Sequence, residues 1–130
     1  MDTKNFKERF NEIAIRHGFE NLFGAWFKES SECVLALILV KSNYSKTYYL
    51  RIKVNLTNAY GRNFKKEKKW VNHDLADVVV GPGKEFADLF DLGKQMDDSE
   101  RVRRLETLFA TKLNTLVDKA LSRDGLTELY

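Results

Sequence analysis

The spacing of apolar positions changes along this chain, and each change marks an element. Phe6, Phe10, Ile13, Ala14 and His17 recur on one helical face, so residues 3–17 read as an amphipathic helix, with Asp2 or Thr3 as N-cap and Gly18 as the stop. Phe19 to Phe27 is rich in aromatics but broken by Asn21 and Gly24. The chain is expected to wind back there, enter a strand at Ala25-Trp26-Phe27-Lys28, and turn at Ser30-Ser31. Cys33 to Val40 is an apolar run without alternation, which predicts a central strand covered on both faces. From 47 to 57 the pattern alternates: Tyr48, Leu50, Ile52, Val54 and Leu56 point to a core, while Tyr49, Arg51, Lys53, Asn55 and Thr57 form a polar face. The connection Lys41–Lys46 is too short for a parallel crossover, so the two strands are expected to form an antiparallel hairpin.

Beyond it, residues 60–70 read as a polar, basic loop and Asp77-Val78-Val79-Val80 as a short strand ended by Gly81-Pro82-Gly83. Residues 85–92 suggest a short helix closed at Gly93. A long helix, capped by Asp98 or Ser99, carries Val102, Leu105, Phe109, Leu113, Leu116, Val117, Ala120 and Leu121 on one stripe and stops near Asp124-Gly125. The fold class that follows is α+β: an antiparallel sheet of about four strands with an N-terminal helix and C-terminal helices packed on it. With 130 residues, 43% of them hydrophobic, one Pro, and no repeat or linker, the chain is expected to form a single domain over residues 1–130.

The net charge of +3 conceals an asymmetry. Residues 1–73 hold 14 Lys and Arg against 7 Asp and Glu; residues 74–130 hold 8 against 12. Such polarity can mark an interaction surface, although the halves can also interleave in space. The lone Cys33 cannot build a disulfide framework and behaves as a small hydrophobe, which favours a reducing compartment. No apolar stretch follows the first charged residues and the run 33–40 is too short to span a bilayer, so the chain is read as soluble, unexported and cytoplasmic, with no membrane partner. The triplets Asn43-Tyr44-Ser45 and Asn55-Leu56-Thr57 carry no weight without a secretory signal.

Catalytic motifs fail on their geometry. A phosphate-binding loop ending at Gly83-Lys84 would have Val78 at its first glycine and Glu85 where a hydroxyl is needed. Neither Gly-x-Gly-x-x-Gly nor Gly-x-Ser-x-Gly occurs. Two histidines and one cysteine are too few for a zinc site, and His73-Asp74 with Asp77 lacks the further histidines of a metal phosphohydrolase. Glu67-Lys68-Lys69 has the letters of a nuclease Glu-x-Lys, but its flanks are not those of a buried strand. Cys33 lacks the polar surroundings that activate a thiol. No catalytic, metal or cofactor residue is therefore assigned, and no cofactor is expected. An enzyme with an unrecognised pocket is the third reading.

One segment keeps a chemical meaning. In Tyr60–Trp70, Arg62, Lys65, Lys66, Lys68 and Lys69 are interleaved with Tyr60, Phe64 and Trp70. Cations can neutralise phosphates while aromatic rings stack on exposed bases, as in single-strand nucleic-acid grooves. A Lys-rich loop is also a common solvated surface. Tyr49, Arg51 and Lys53 would extend this candidate surface if their face of the sheet is uncovered.

The sequence Gly18-Phe19 after a first helix, the aromatic strand at Trp26-Phe27, Lys41-Ser42 closing a central strand, and Tyr48-Tyr49-Leu50 leading to Asn55-Leu56 resemble DUF4304, a bacterial family catalogued as a domain of unknown function. The resemblance covers roughly residues 5–57. Val40 stands where members often carry Gln. It implies a bacterial α+β domain with flanking helices and brings no catalytic residues. By fold-level analogy, small bacterial domains of this kind serve as immunity or accessory proteins. The leading expectation is a non-enzymatic binding domain for a protein partner; the runner-up is a nucleic-acid-binding module using loop 60–70.

Overall fold

Asp2 starts the first element: its Oδ1 accepts a hydrogen bond from the Asn5 N–H at 2.7 Å, satisfying one open donor of helix α1 (Thr3–Arg16). The helix ends as the sequence predicts. Gly18, at φ +88°, lets its N–H reach Ile15 O and the Phe19 N–H reach Ala14 O, each at 3.0 Å, a closure that turns the chain back toward the sheet. The computed structural model describes residues 1–30, 33–56, 78–81 and 83–120.

Five strands follow: β1 (Glu20–Leu22), β2 (Ala25–Glu29), β3 (Cys33–Lys41), β4 (Tyr48–Leu56) and β5 (Val78–Val80). They form one antiparallel sheet in chain order, β1-β2-β3-β4-β5. The four expected strands are present, and β1 is added at one edge because Glu20-Asn21-Leu22 folds onto Phe27-Trp26-Ala25. The central hairpin is in the anticipated register, from Cys33 opposite Leu56 to Lys41 opposite Tyr48.

Alternation sorts the side chains into two clusters. Trp26, Cys33, Leu35, Leu37, Tyr48, Leu50, Ile52 and Val54 face the helices. Phe6 and Phe10 of α1 fill this core, with ring centroids 5.7 Å from Tyr48 and 4.7 Å from Trp26, respectively. On the opposite face, Ala25, Phe27, Val34, Ala36 and Ile38 form a second buried cluster. Burial of Cys33 through Ile38 is what an unbroken apolar run requires of a central strand. The polar face expected for β4 is graded rather than uniformly open. Tyr49 is exposed and Arg51 half-buried, but Lys53, opposite Ala36 in this second cluster, is 2% exposed.

After β5 the chain forms a single turn of helix, α2 (Lys84–Ala87), that tightens into a 3-10 turn at Asp88–Phe90. This replaces the one short helix expected over 85–92. The final helical rod is α3 (Asp98–Leu108), a π-helical turn at Phe109–Leu113, and α4 (Asn114–Ala120). Its buried residues, among those described, are Arg101, Leu105, Leu108, Phe109, Leu113 and Val117, not quite the expected stripe: Val102 and Leu116 are only half-buried, and Leu121 and the expected stop near Asp124-Gly125 lie outside the described residues. The difference has a geometric cause. Arg101, Leu105, Phe109, Leu113 and Val117 are spaced by four, and in a helix of 3.6 residues per turn each such step drifts by about 40°. The wider π turn takes up part of that drift and keeps both ends of the rod against the sheet.

Arg101 fastens the 84–96 segment to this rod. The residue is 1% exposed and its guanidinium donates to three backbone carbonyls, Leu89 O at 2.5 Å, Asp91 O at 3.2 Å and Lys94 O at 3.1 Å.

Candidate functional site

The antiparallel order places the β1–β2 turn, the β3–β4 turn and the exit from β5 at the same end of the sheet. Four of the five exposed large hydrophobic side chains among the described residues are found there: Phe23 (52% exposed), Val40 (39%), Tyr44 (98%) and Tyr49 (57%). Val40 and Tyr49 are direct cross-strand partners. Phe23 sits in the two-residue β1–β2 turn at φ +55°, followed by Gly24 at +76°. Both positions are left-handed, a geometry that Asn, Asp and Gly adopt readily and a bulky aromatic residue rarely does.

The β3–β4 turn holds its shape through local bonds. The Tyr44 N–H donates to Ser42 Oγ at 3.1 Å and Ser45 Oγ donates to Thr47 Oγ1 at 2.9 Å. Lys41 and Lys46 flank the turn, and Lys84 opens α2 beside it. Among the described residues, none of these three ammonium groups makes an ion pair or hydrogen bond, so their charge is free to face a partner. Lys7 adds a fourth cation, 5.6 Å above the Tyr48 ring.

Between β4 and α2 lies an open cleft of about 550 Å³, lined by Thr47, Tyr48, Tyr49, Leu50, Gly81, Gly83, Lys84, Ala87 and Phe90. Its helical wall is fixed by charge. Asp88 accepts a two-pronged pair from Arg104, at 2.8 and 3.0 Å, and a longer bond from Lys94 at 3.3 Å; Arg104 also reaches Glu85 O at 2.8 Å. The Arg104 hydrogen bonds hold the Asp88 carboxyl at a pKa of about 2, below its ordinary 3.8, and Asp88 in turn raises that of Arg104. The Glu85 carboxyl is lowered first by its own backbone N–H and then by the Lys112 ammonium at 3.5 Å.

No family model matches this chain, and no curated protein or solved structure matches it either. The site is therefore argued from its own residues. Of those singled out by sequence, Tyr49 belongs to the exposed end. Arg51 lies one alternation further in, and neither Arg51 nor Lys53 is without a partner. Tyr60, Arg62, Phe64, Lys65, Lys66, Lys68, Lys69 and Trp70 lie outside the described residues, as do His73, Asp74 and Asp77.

His17 caps α1 with its ring 5.5 Å from Phe109 and its Nε2 3.9 Å from Glu106, a packed helix end. Cys33 is fully buried. Among the described residues no three His, Cys, Asp or Glu side chains converge to hold a metal ion, and no helix is long and apolar enough to cross a membrane.

Sequence reasoning missed Phe23, Val40 and Tyr44. One signal was present for the first: a Phe-Gly pair between two short strands, where a tight hairpin normally carries Asn-Gly.

Proposed function

We propose that this chain is a cytoplasmic bacterial domain of the DUF4304-like kind that performs no chemistry and binds an acidic protein partner through the turn end of its sheet, in the manner of an immunity or accessory protein. One observation carries the reading. Exposed Phe23, Val40, Tyr44 and Tyr49 gather at one end of the sheet, together with Lys41, Lys46 and Lys84, cations that pair with no carboxylate among the described residues. Aromatic anchors with a charged rim are the composition by which interfaces concentrate affinity and select partners.

The test is photo-crosslinking from a benzoylphenylalanine placed at Tyr44, irradiated in a lysate of the source bacterium. A discrete protein adduct is expected that disappears when Lys41 and Lys46 are both changed to Glu. An adduct indifferent to those changes, or none, would sink the proposal. Co-purifying nucleic acid, seen as excess absorbance at 260 nm and removed by reversing the same charges, would instead support the module reading in which tyrosines stack on bases.

A further inference from the structure

The cleft between β4 and α2 has a chemistry of its own, beginning with an apolar floor that is already in place. Leu50, Ala87 and Phe90 line it, and so does Tyr48, whose ring stacks on Phe6 at 5.7 Å while Phe6 meets Phe90 edge-on at 5.8 Å. The Arg104 bonds to Asp88 and to Glu85 O hold the α2 wall. Neither floor nor wall needs rearranging before something enters. The volume of about 550 Å³ falls inside the roughly 300–1,000 Å³ range of small-ligand sites.

Two polar groups complete the lining. Tyr48 is 4% exposed, and a tyrosine buried that far normally gives its hydroxyl a hydrogen-bond partner. Among the described residues this hydroxyl has none. Nor is its oxygen sealed from solvent, and the opening that Tyr48 lines is this cleft. Lys84 is the one charged side chain among the described lining residues, and it pairs with no carboxylate. No described carboxylate lines the cleft, so an amine would find no counter-charge. A phosphate, carrying two charges, would meet one cation above an apolar floor.

We propose that the cleft binds a small monocarboxylic acid with an apolar body. Its carboxylate accepts from the Tyr48 hydroxyl and pairs with the Lys84 ammonium, while the body lies on Leu50, Ala87 and Phe90. A buried hydroxyl left without a partner gains most from such an acceptor, because hydrogen bonds to charged groups are the stronger ones. The cleft shares Tyr49 and Lys84 with the turn end of the sheet, but it is filled by a small acid and not by the protein partner.

Titration of the purified full chain with octanoate, followed through the methyl signals of Leu50 and Ala87, tests this. Saturable binding that moves both signals is expected in the millimolar range or tighter. Octylamine, with the same body and the opposite charge, should bind about tenfold more weakly or worse. Tyr48→Phe keeps the ring on Phe6 and removes only the hydroxyl, so it should weaken octanoate about tenfold. Lys84→Gln, at an exposed position, should weaken it about threefold, with a larger difference at low salt. Ala87→Glu brings a like charge into the cleft from an exposed helix position and should abolish binding while circular dichroism stays unchanged.

Octanoate that does not saturate, octylamine that binds as tightly, or parental octanoate affinity in any of the three variants would overturn the proposal. Should a variant fail to fold, the comparison of octanoate with octylamine on the parent chain decides. The titration involves no partner protein, so this assignment and the binding-domain reading can fail separately.

Discussion

Replacing Arg101 by methionine keeps most of the buried aliphatic volume and removes the guanidinium fork, so it isolates the three carbonyl bonds to Leu89, Asp91 and Lys94. A hydrogen bond to a charged group contributes about 1.5–3 kcal/mol, and an acceptor left without a donor loses most of that when water cannot replace it. Leu89 is fully buried, whereas Asp91 is half-buried and Lys94 exposed, so water can serve the last two. Counting the first fully and each of the others at about half gives a loss of roughly 3–6 kcal/mol for Arg101→Met.

Arg101→Ala also strips two buried methylenes, near 0.8 kcal/mol each, and should cost about 5–8 kcal/mol. Arg101→Lys, a single donor in place of a fork, should fall below both. Urea unfolding followed by circular dichroism and tryptophan fluorescence measures all three, against a total stability of about 5–15 kcal/mol for such a domain. Hydrogen exchange should show the first openings at residues 84–96. If Arg101→Met lies within 1 kcal/mol of the parent, about the net worth of one ordinary hydrogen bond, the fork is not what fastens this segment.

Phe23→Asn is expected to raise the midpoint of thermal unfolding, by roughly 0.5–1 kcal/mol of stability, because Asn accepts the left-handed turn at lower cost. Phe23→Ala, which loses the ring and keeps the backbone cost, should not; a melt in which Ala gains as much as Asn would refute the strain argument. Asp88 has a folded pKa depressed below its unfolded 3.8, so its contribution is complete above pH 4 and is lost as pH falls from about 4 to 2. Asp88→Asn should flatten the acid limb of stability in that window, and an unchanged limb would show the Arg104 pair to be idle. Deleting Ala110 should remove the π turn and rotate α4, turning Val117 from the core, with a loss of several kcal/mol in urea titration. Little change would mean that α4 is not held by that face.

Much of the scaffold was legible because burial imposes periodicity. Apolar residues on both sides of β3 could only be a central strand, and the strict alternation from Tyr48 to Val54 fixed its partner. Gly18 announced the end of α1 because only a left-handed residue makes that closure cheaply. The failures have equally local reasons. β1 is three residues long and leaves no period to read. Arg101 and Lys53 are buried because their polar ends find partners, which hydropathy does not encode. The π turn redirects a stripe that straight-helix counting assigns to Val102 and Leu116. Of the candidate surface, Tyr49 was visible as the outward member of an alternating strand. Its companions Phe23, Val40 and Tyr44 come from three separate stretches of chain and meet only through the order of the strands.

That order also bears on how the chain is made. Every strand pairs with its neighbour in sequence, so residues 3–56 can assemble α1 and four strands as they leave the ribosome. The face carrying Leu35, Leu37, Leu50 and Ile52 then waits, wet and apolar, for Leu105, Leu108, Phe109 and Leu113 to be synthesised. Vectorial synthesis thus creates a nascent form with half its core uncovered, for which a holdase would compete. A chain stopped at Asp97 should bind the dye ANS and aggregate unless the segment 98–120 is added in trans, which would make the C-terminal rod the step that commits the molecule to its native state.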